Sequence, residues 1–369
     1  MSLSVEAVRA ALSKVYDPEI KRPLTELGMI RDVSVERDQV KVGIDLTTAA
    51  CPLKAQIEGE ITQTLTALGA RTVEIDWGVK SMKREMSADD PCPGVHNIVL
   101  VVSGKGGVGK STVAVNITLA LKRAGCRVGL LDADMYGPSI PTMMGVMGRP
   151  SATEDGKIQP LERFGVKLMS IGFLLESDKS AVIWRGPMLQ GALLQFLKDV
   201  EWGELDYLIL DLPPGTGDIA LTLSQRVRTT GAVIVTTPQE VALADVYKQA
   251  SMLKKVNIPI LGVVENNSFF ICDGCSKKHE IFGTGGGQKV ADFAEAPLLG
   301  QIPMHPAVRE WSDAGTPIVQ AAPGSEAAEP FRQVAERVAD RCSVVNAGRA
   351  PAFTIDRSGG TNRHLPIAR

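Results

Sequence analysis

The most informative segment of this sequence is Ser103-Gly104-Lys105-Gly106-Gly107-Val108-Gly109-Lys110-Ser111-Thr112. It follows an apolar run, residues 98–102, that is typical of a buried parallel strand, and it precedes residues 113–122, which have helical periodicity. Strand, glycine-rich turn and helix in this order are what a phosphate-binding P-loop requires. The pattern G-x-x-x-x-G-K-S therefore predicts a nucleotide site, and it disfavours the alternative of a glycine loop that only turns the chain.

Each part of this loop has an expected task. Glycines let successive backbone N–H groups point at a phosphate chain, and the start of the helix adds partial positive charge. We expect Lys110 to reach the β- and γ-phosphates of ATP and the Ser111 hydroxyl to bind Mg²⁺. The predicted cradle consists of Gly104, Lys105, Gly106, Gly107, Val108, Gly109, Lys110, Ser111 and Thr112.

Two further apolar strands end in carboxylates. Residues 128–131 lead into Asp132 and Asp134, and residues 207–210 lead into Asp211. Because the carboxyl ends of parallel strands face the ligand side of an open α/β sheet, we expect these acids near the P-loop. Asp211 is the Walker B candidate, acting on Mg²⁺ directly or through a water. The alternative for Asp132 and Asp134 is that each only caps or turns the chain.

A proline- and glycine-rich loop follows the second acidic strand. It reads Leu212-Pro213-Pro214-Gly215-Thr216-Gly217-Asp218. Such a loop is suited to a switch that senses the γ-phosphate, and Asp218 would then report the nucleotide state. The alternative is a rigid turn.

A second centre of chemistry is the pair Cys272 and Cys275, spaced C-x-x-C. Two such sulfurs can bind one metal, but they supply only half of a four-thiolate site. The sequence contains no other C-x-x-C, so a complete site would most simply use two chains about a two-fold axis. A redox dithiol and a zinc clip are the alternatives. His279 is close enough in sequence to be considered as a ligand, although a surface histidine is the simpler interpretation.

The chain divides by pattern into four parts. Residues 1–79 read as a small α+β domain with an amphipathic helix at 5–15, a hairpin of strands at 30–35 and 40–46, a helix ending near 68 and a third strand at 73–77. The remaining parts are a proline-containing linker at 80–97, the P-loop domain at 98–345 and a tail at 346–369 that we expect to be disordered. The last helix is predicted at 326–338.

The composition restricts the class of protein. A net charge of −2 gives no electrostatic case for nucleic acid or an anionic membrane, and no apolar run approaches the ~18 to 20 residues of a membrane span. Six cysteines in 369 residues do not form a disulfide framework, and the N-terminus lacks a signal-peptide pattern. The sequence therefore predicts a cytoplasmic protein.

The segment GKGGVGKST resembles the deviant Walker A of the MinD/ParA/nitrogenase-reductase branch of P-loop ATPases. The resemblance implies that Lys105 reaches across a nucleotide-sandwich dimer to the partner's phosphates; the alternative is a solvated loop lysine. It also implies that Asp134 orients the attacking water and that Asn266 hydrogen-bonds the adenine, with the loop containing Pro303 on the other side of the base.

Taken together, the motifs resemble the Mrp (ApbC-type) family of iron–sulfur cluster carriers. They are GKGGVGKST (104–112), DADMYGPS (132–139), WRGPM (184–188), DLPPGTGD (211–218) and CDGC (272–275), together with Asp17-Pro18-Glu19, Thr47-Thr48 and Ala50-Cys51-Pro52, which are similar to a SufT-like domain. The resemblance implies an α/β fold, with helices on both faces of a mostly parallel sheet, after a small α+β domain. It also implies a homodimer that hydrolyses ATP with Mg²⁺ and holds a bridging 4Fe–4S cluster through Cys272 and Cys275. Its partners would be cluster scaffold proteins and recipient apoproteins.

Two other interpretations remain open. A spatial-organiser ATPase of the MinD/ParA kind would favour a C-terminal amphipathic helix or a basic face, which residues 357–360 do not supply, and it leaves Cys272 and Cys275 unexplained. The other is an ATPase scaffold stapled by zinc. Cys51, just before a predicted helix, could have a lowered thiol pKa, although the residues favour a small buried apolar role.

Overall fold

The fold is that of a computed structural model. It describes residues 3–47, 51, 53–80, 82–134, 137–174, 186–215, 217–272 and 274–349. The predicted markers Trp184 and Arg185, and the tail from residue 350, lie outside these ranges. Among the residues that the structure describes, none of the helices combines the length and apolar character that crossing a membrane requires.

The N-terminal unit is a three-stranded sheet covered by two helices. Its elements are α1 (Val5–Leu12), β1 (Ile30–Glu36), β2 (Gln39–Leu46), α2 (Lys54–Ala67) and β3 (Thr72–Val79). β1 and β2 form an antiparallel hairpin, and β3 runs parallel to β2. The helices bury residues spaced four apart, Val8 and Leu12 on α1 and Ile57, Ile61 and Leu65 on α2. The predicted α+β unit is thereby confirmed.

Helix α1 is shorter than predicted. It ends at Leu12 rather than at Val15, because Lys14 and Val15 hydrogen-bond three residues back in a turn, and Val15 then accepts from Leu24 across the unit. Tertiary pairing of Val15 thus overrides the helical periodicity of its segment.

The larger unit is built on a sheet of eight strands. Its elements are β4 (Val95–Val102), α3 (Lys110–Arg123), β5 (Val128–Asp132), α4 (Ile140–Met143), β6 (Ser151–Ala152), β7 (Ile158–Gln159), β8 (Leu161–Arg163), β9 (Val166–Ser170), α5 (Gly186–Asp199), β10 (Leu205–Asp211), α6 (Gly217–Arg226), β11 (Gly231–Thr236), α7 (Glu240–Lys255), β12 (Ile260–Glu265), β13 (Phe270–Ile271), β14 (Lys278–His279), α8 (Gly286–Ala294), β15 (Leu298–Gln301), α9 (Pro306–Asp313), α10 (Ile318–Ala321) and α11 (Glu329–Arg349).

The sheet order is β15-β12-β11-β4-β10-β5-β9-β8, and every neighbouring pair is parallel except β8 with β9. The central strands are almost continuously apolar and buried, as strands covered on both faces should be. The helices form two separate groups of neighbours: α4, α9, α10, α3 and α11 form one, and α5, α6, α7 and α8 form the other. This confirms the predicted α/β class with helices on both faces.

The segment predicted as a linker is irregular only as far as Gly94, since β4 begins at Val95. It is also firmly anchored by Arg84, which is 2% exposed. The Arg84 guanidinium pairs with Asp90 at 2.5 and 2.6 Å and donates to the carbonyls of Val95, Cys92 and Arg228. The segment is therefore a strap that ties β4 to the turn before β11.

Helix α11 is much longer than predicted. It runs to Arg349, past the predicted end at Val338, so the first residues of the expected disordered tail are helical. The extension is held by burial of Cys342 and Ala347 and by Asn346, whose amide donates to Asn97 Oδ1 at 2.8 Å. This segment contains many small residues, so the sequence pattern did not indicate that one face of the helix is buried.

Candidate nucleotide site and cysteine hairpin

The P-loop joins the end of β4 to the start of α3. Gly107 and Gly109 have φ values of +79° and +81°, in the left-handed region that glycine tolerates best. A Cβ at Gly109 would lie 2.2 Å from Asn266 Nδ2, so this close approach also requires glycine. The predicted loop therefore has the backbone of a phosphate cradle.

A cavity of about 680 Å³ opens over this loop. The P-loop from Lys105 to Thr112 and Asp134 form one side, and Asn266 lies between that side and an opposite wall of residues 302–305, continued by α9. The volume is in the range that holds a nucleotide-sized ligand. The structure thus brings together the predicted loop, one predicted acid, the predicted asparagine and Pro303.

Lys110 is the counter-ion of two acids at this site. Its Nζ atom lies 2.7 Å from Asp211 Oδ1, 3.5 Å from Asp134 Oδ2 and 3.4 Å from Ser111 Oγ. Asp211 and Asp132 are neighbours in register on β10 and β5, so a third acid lies beside the pair of acids that contact Lys110. The cavity floor is therefore a compact charged cluster.

The three acids of this cluster are in different environments. Asp132 is fully buried and accepts hydrogen bonds from Ser170 Oγ and the Asp134 backbone N–H. Burial, with the charge of Asp211, raises the pKa of Asp132 well above the ordinary value of an aspartate. Burial also raises the pKa of Asp211, and Lys110 opposes that rise.

The donor set fits a magnesium ion at Ser111 and Asp211. Within the described part of the chain, Asp211 Oδ2 is buried and has no hydrogen-bond partner, which leaves it available to a metal or to a metal-bound water. Asp132 fits less well because its oxygens are already engaged by Ser170 and backbone N–H groups. Asp218 lies in α6, and its side chain is outside what the structure describes.

Lys105 lies at the start of the P-loop, and its ammonium group pairs with an acid of the same chain. Its Nζ atom is 3.5 Å from Asp245 Oδ2 on α7, and Asp245 also pairs with Lys248 at 3.2 Å. A Cβ on Gly104 would come within 2.5 Å of the Val246 backbone N, which fixes the loop against α7. The role of Lys105 in a partner's site stays a prediction.

Asn266 makes a contact that the sequence did not predict. Its Nδ2 donates to the Val108 carbonyl at 2.8 Å, so the amide holds the P-loop to the end of β12. Asn266 also lines the cavity, and its expected hydrogen bond to adenine stays a prediction.

The two candidate ligand cysteines lie at the tip of a short hairpin formed by β13 and β14. The Cys272 N–H donates to Lys277 O at 3.1 Å, and the Ser276 N–H donates to Cys272 O at 2.8 Å. Cys272 is half-buried, Cys275 is exposed, and neither forms a disulfide. His279 is exposed at the base of the hairpin, opposite Phe270, as expected for a surface residue.

No three His, Cys, Asp or Glu side chains in the described ranges are placed to hold a metal ion. The assignment of Cys272 and Cys275 as ligands, and the two-chain site, stay predictions.

Cys51 is half-buried against the core of the N-terminal unit, which agrees with the small apolar role that the residues favour. Burial, with the charges of Asp340, Asp17 and Glu19, raises the pKa of its thiol to about 11, which contradicts the alternative of a lowered pKa. Cys92 is buried in the strap, and burial raises the pKa of its thiol to about 12.

Glu265 is a residue that the sequence analysis missed. It ends β12 with no exposed surface, and its carboxyl group accepts hydrogen bonds from Ser268 Oγ, from Gln301 Nε2 at 2.7 Å and from the Gly287 N–H at 2.6 Å. An acid at the end of an apolar strand is the signal that had singled out Asp132 and Asp211, and it applied here as well.

Comparisons with known proteins agree with this geometry. A family model described as an NUBPL iron-transfer P-loop NTPase matches residues 94–339, and a model described as an iron–sulfur cluster assembly protein matches residues 5–77. An iron–sulfur cluster carrier protein of Deinococcus radiodurans is 49% identical, over 94% of this chain and 98% of that protein. The protein of the same name from Escherichia coli (strain K12) is 45% identical, over 91% of this chain and 93% of its own length.

Among solved structures, a nucleotide-binding protein from Archaeoglobus fulgidus in complex with ADP has a TM-score of 0.53 and 39% identity. The match covers 60% of this chain and 87% of that one.

Proposed function

This chain belongs to the family of iron-transfer P-loop NTPases, and we propose on that basis that it hydrolyses ATP and carries iron–sulfur clusters to apoproteins. The observation that supports the proposal is the short stretch of chain after β12 that joins the two candidate sites. β12 ends at Glu265, beside the P-loop, and the chain then reaches Cys272 at the hairpin tip. A nucleotide site and a thiolate site are thus a few residues apart.

The nucleotide chemistry follows from the charged floor of the cavity. We propose that Lys110 leaves the carboxylates of Asp134 and Asp211 to pair with the β- and γ-phosphates of ATP, which present more negative charge. Ser111 and Asp211 would hold Mg²⁺, which neutralises charge on the phosphates when bound. Asp134, 3.5 Å from Lys110, would orient the attacking water, and Asp218 would report the nucleotide state.

Lys105 would act in a second copy of the chain. We propose a homodimer in which this lysine leaves Asp245 and approaches the partner's phosphates, offsetting charge that develops on phosphoryl transfer. Because the pair with Asp245 is partly exposed, little free energy opposes this exchange.

The cargo would be a 4Fe–4S cluster held between two chains. Such a cluster takes four cysteine thiolates, and each chain offers Cys272 and Cys275. The exposed hairpin tip gives the sulfurs access both to a second copy and to an acceptor. Recipients would be apo iron–sulfur proteins, donors would be cluster scaffold proteins, and cysteines that form no disulfide suit a reducing compartment such as the cytoplasm.

The carrier names of relatives that match nearly the whole chain favour this function over a spatial-organiser ATPase. A transfer assay tests it. Protein reconstituted anaerobically with iron and sulfide is mixed with an apo 4Fe–4S dehydratase, and the recovered dehydratase activity is measured.

Three variants separate the parts of the proposal. The double variant Cys272→Ala, Cys275→Ala should lose transfer while it keeps ATP binding, and Lys110→Ala should lose ATP binding while it keeps the cluster. Cys92→Ala is the matched control, since it removes a buried thiol far from both sites, and it should keep both activities. Full transfer by the double variant would contradict the assignment of the cargo site.

A further inference from the structure

We infer that Glu265 is a positioning residue that couples the nucleotide cavity to the cysteine hairpin, so that a bound nucleotide changes the conformation of the hairpin that carries the thiols. The inference rests on the proposed function for the identity of the two sites. Its evidence is a connected set of hydrogen bonds around one buried carboxyl group.

The donors to Glu265 come from three different segments. Ser268 lies at the root of the cysteine hairpin, Gln301 ends β15 directly before the cavity wall, and Gly287 is in the first turn of α8. These donors are a hydroxyl, a side-chain amide and a backbone N–H. A buried carboxyl group is expensive to desolvate, and an apolar residue would pack here with less penalty. Unlike an apolar side chain, a carboxyl group supplies two acceptor oxygens, and here these oxygens hold three segments in one arrangement.

The backbone continues the same connection. The Ile302 N–H donates to Glu265 O at 2.8 Å, the Ser268 N–H donates to Ile302 O at 3.0 Å, and the Met304 N–H donates to Phe269 O at 2.7 Å. The cavity wall and the hairpin root therefore form one ladder of alternating hydrogen bonds. A displacement of the wall cannot leave the hairpin root where it was without breaking part of that ladder.

One end of this ladder lies at the nucleotide cavity, and the other lies at the cysteine hairpin. Ile302 and Met304 line the nucleotide cavity. Phe270, which forms a parallel bridge with Met304, is two positions before Cys272. A nucleotide that fixes the wall should therefore also fix the hairpin, and by reciprocity a ligand on the thiols should change nucleotide affinity by the same factor.

Glu265→Gln is the sharpest perturbation because it keeps the shape and removes one acceptor. The new amide group would face at least one of three donors, so one of the three segments is released. Glu295→Gln is the matched control: it makes the same chemical change at an exposed acid directly after α8, where the Glu295 carboxylate pairs with Lys254 at 2.9 Å.

The assay measures the alkylation rate of Cys275 by iodoacetamide in cluster-free protein, with and without saturating ADP and Mg²⁺. Light scattering confirms that the protein stays monomeric, so that shielding by a second copy does not contribute. Mass spectrometry resolves Cys275 from the other five cysteines, including the half-buried Cys272. Since coupling between sites is commonly about 5- to 150-fold, ADP should slow the wild-type reaction at least about fivefold.

In Glu265→Gln, the ratio of the alkylation rates without and with ADP should fall to within about twofold of one. In Glu295→Gln, this ratio should stay at its wild-type value. If Glu265→Gln does not fold, Ser268→Ala removes only the hairpin donor and should lower the ratio in the same way. A wild-type ratio near one, or a wild-type ratio preserved in Glu265→Gln, overturns the inference. Because no cluster is present in this assay, its failure is distinguishable from a failure of reconstituted protein to carry iron and sulfide.

Discussion

Replacing Lys110 by alanine should destabilise the folded protein as well as abolish nucleotide binding. The Lys110 side chain is 6% exposed, Asp211 has no exposed surface, and their charged atoms are 2.7 Å apart. Removing one partner of such a buried pair commonly destabilises a protein by about 3–5 kcal/mol, because the other charge is left without compensation. That is a large part of the roughly 5–15 kcal/mol by which domains are stable.

The penalty should depend on pH in a defined direction. Without Lys110, burial raises the pKa of Asp211 in the folded state further above its unfolded value. The folded variant then takes up a proton that the unfolded chain does not, so its stability falls as pH rises, by at most about 1.4 kcal/mol per pH unit. The loss relative to wild type should therefore be smaller at pH 5.5 than at pH 8.

The assay is urea unfolding followed by circular dichroism at both pH values, together with titration of a fluorescent ATP analogue. The double variant Lys110→Ala, Asp211→Asn should recover most of the lost stability, because no buried charge remains, yet it should not recover nucleotide binding. A Lys110→Ala variant within about 1 kcal/mol of wild type at pH 8 would refute the reasoning about the buried pair. Normal ATP turnover in that variant would refute the P-loop assignment.

Three further changes test other parts of the molecule. Lys105→Ala should lower ATP turnover more than ATP affinity, since its ammonium group is expected to act on transition-state charge in a partner; equal losses in kinetics and binding would place it on the ground state. Asp245→Asn frees Lys105 from a partly exposed ion pair worth about 0.2–1 kcal/mol, so ATP-dependent dimer formation should rise by at most about fivefold. Light scattering measures the dimer, and no rise or a fall would count against the movement of Lys105 from Asp245 to the partner's phosphates. Burial, with Glu19 and Asp17 nearby, raises the pKa of Asp340 to about 8, so wild-type stability should fall as pH rises from about 5 to about 8. Asp340→Asn should remove that part of the fall in urea unfolding, and an unchanged pH dependence would contradict it.

The features that could be predicted from the sequence are those whose chemistry is local. The P-loop, with Lys110, follows from a short pattern between a strand and a helix, and Asp211 follows from its place at the end of a buried strand. The cysteine pair was equally visible because its C-x-x-C spacing is local, although what the two thiols bind stays a prediction. Each of these motifs is defined by adjacent residues, so it could be recognised without knowing which distant segments pair in the fold.

The features that could not be predicted depend on residues far apart in the chain. Arg84 is held by a carbonyl at Arg228, and nothing near it in sequence indicated that contact. The end of an apolar strand marked Glu265 as a candidate acid, but its hydrogen bonds with Gln301 and Gly287 could not be read from the sequence.

The last helix was predicted to end at Val338, and this was wrong because α11 buries its own last turns through Cys342 and Ala347. The sequence of residues 339–349 is rich in small and polar residues, and its burial became visible only with the N-terminal unit and the sheet in place.

The most direct test of the account is the content of iron, acid-labile sulfide and zinc in anaerobically reconstituted protein, measured together with its mass in solution. The account predicts about four iron and four sulfide per two chains, and loss of both in the Cys272→Ala, Cys275→Ala double variant. Four irons on a strict monomer, tightly bound zinc without sulfide, or a full cluster retained by the double variant would contradict it.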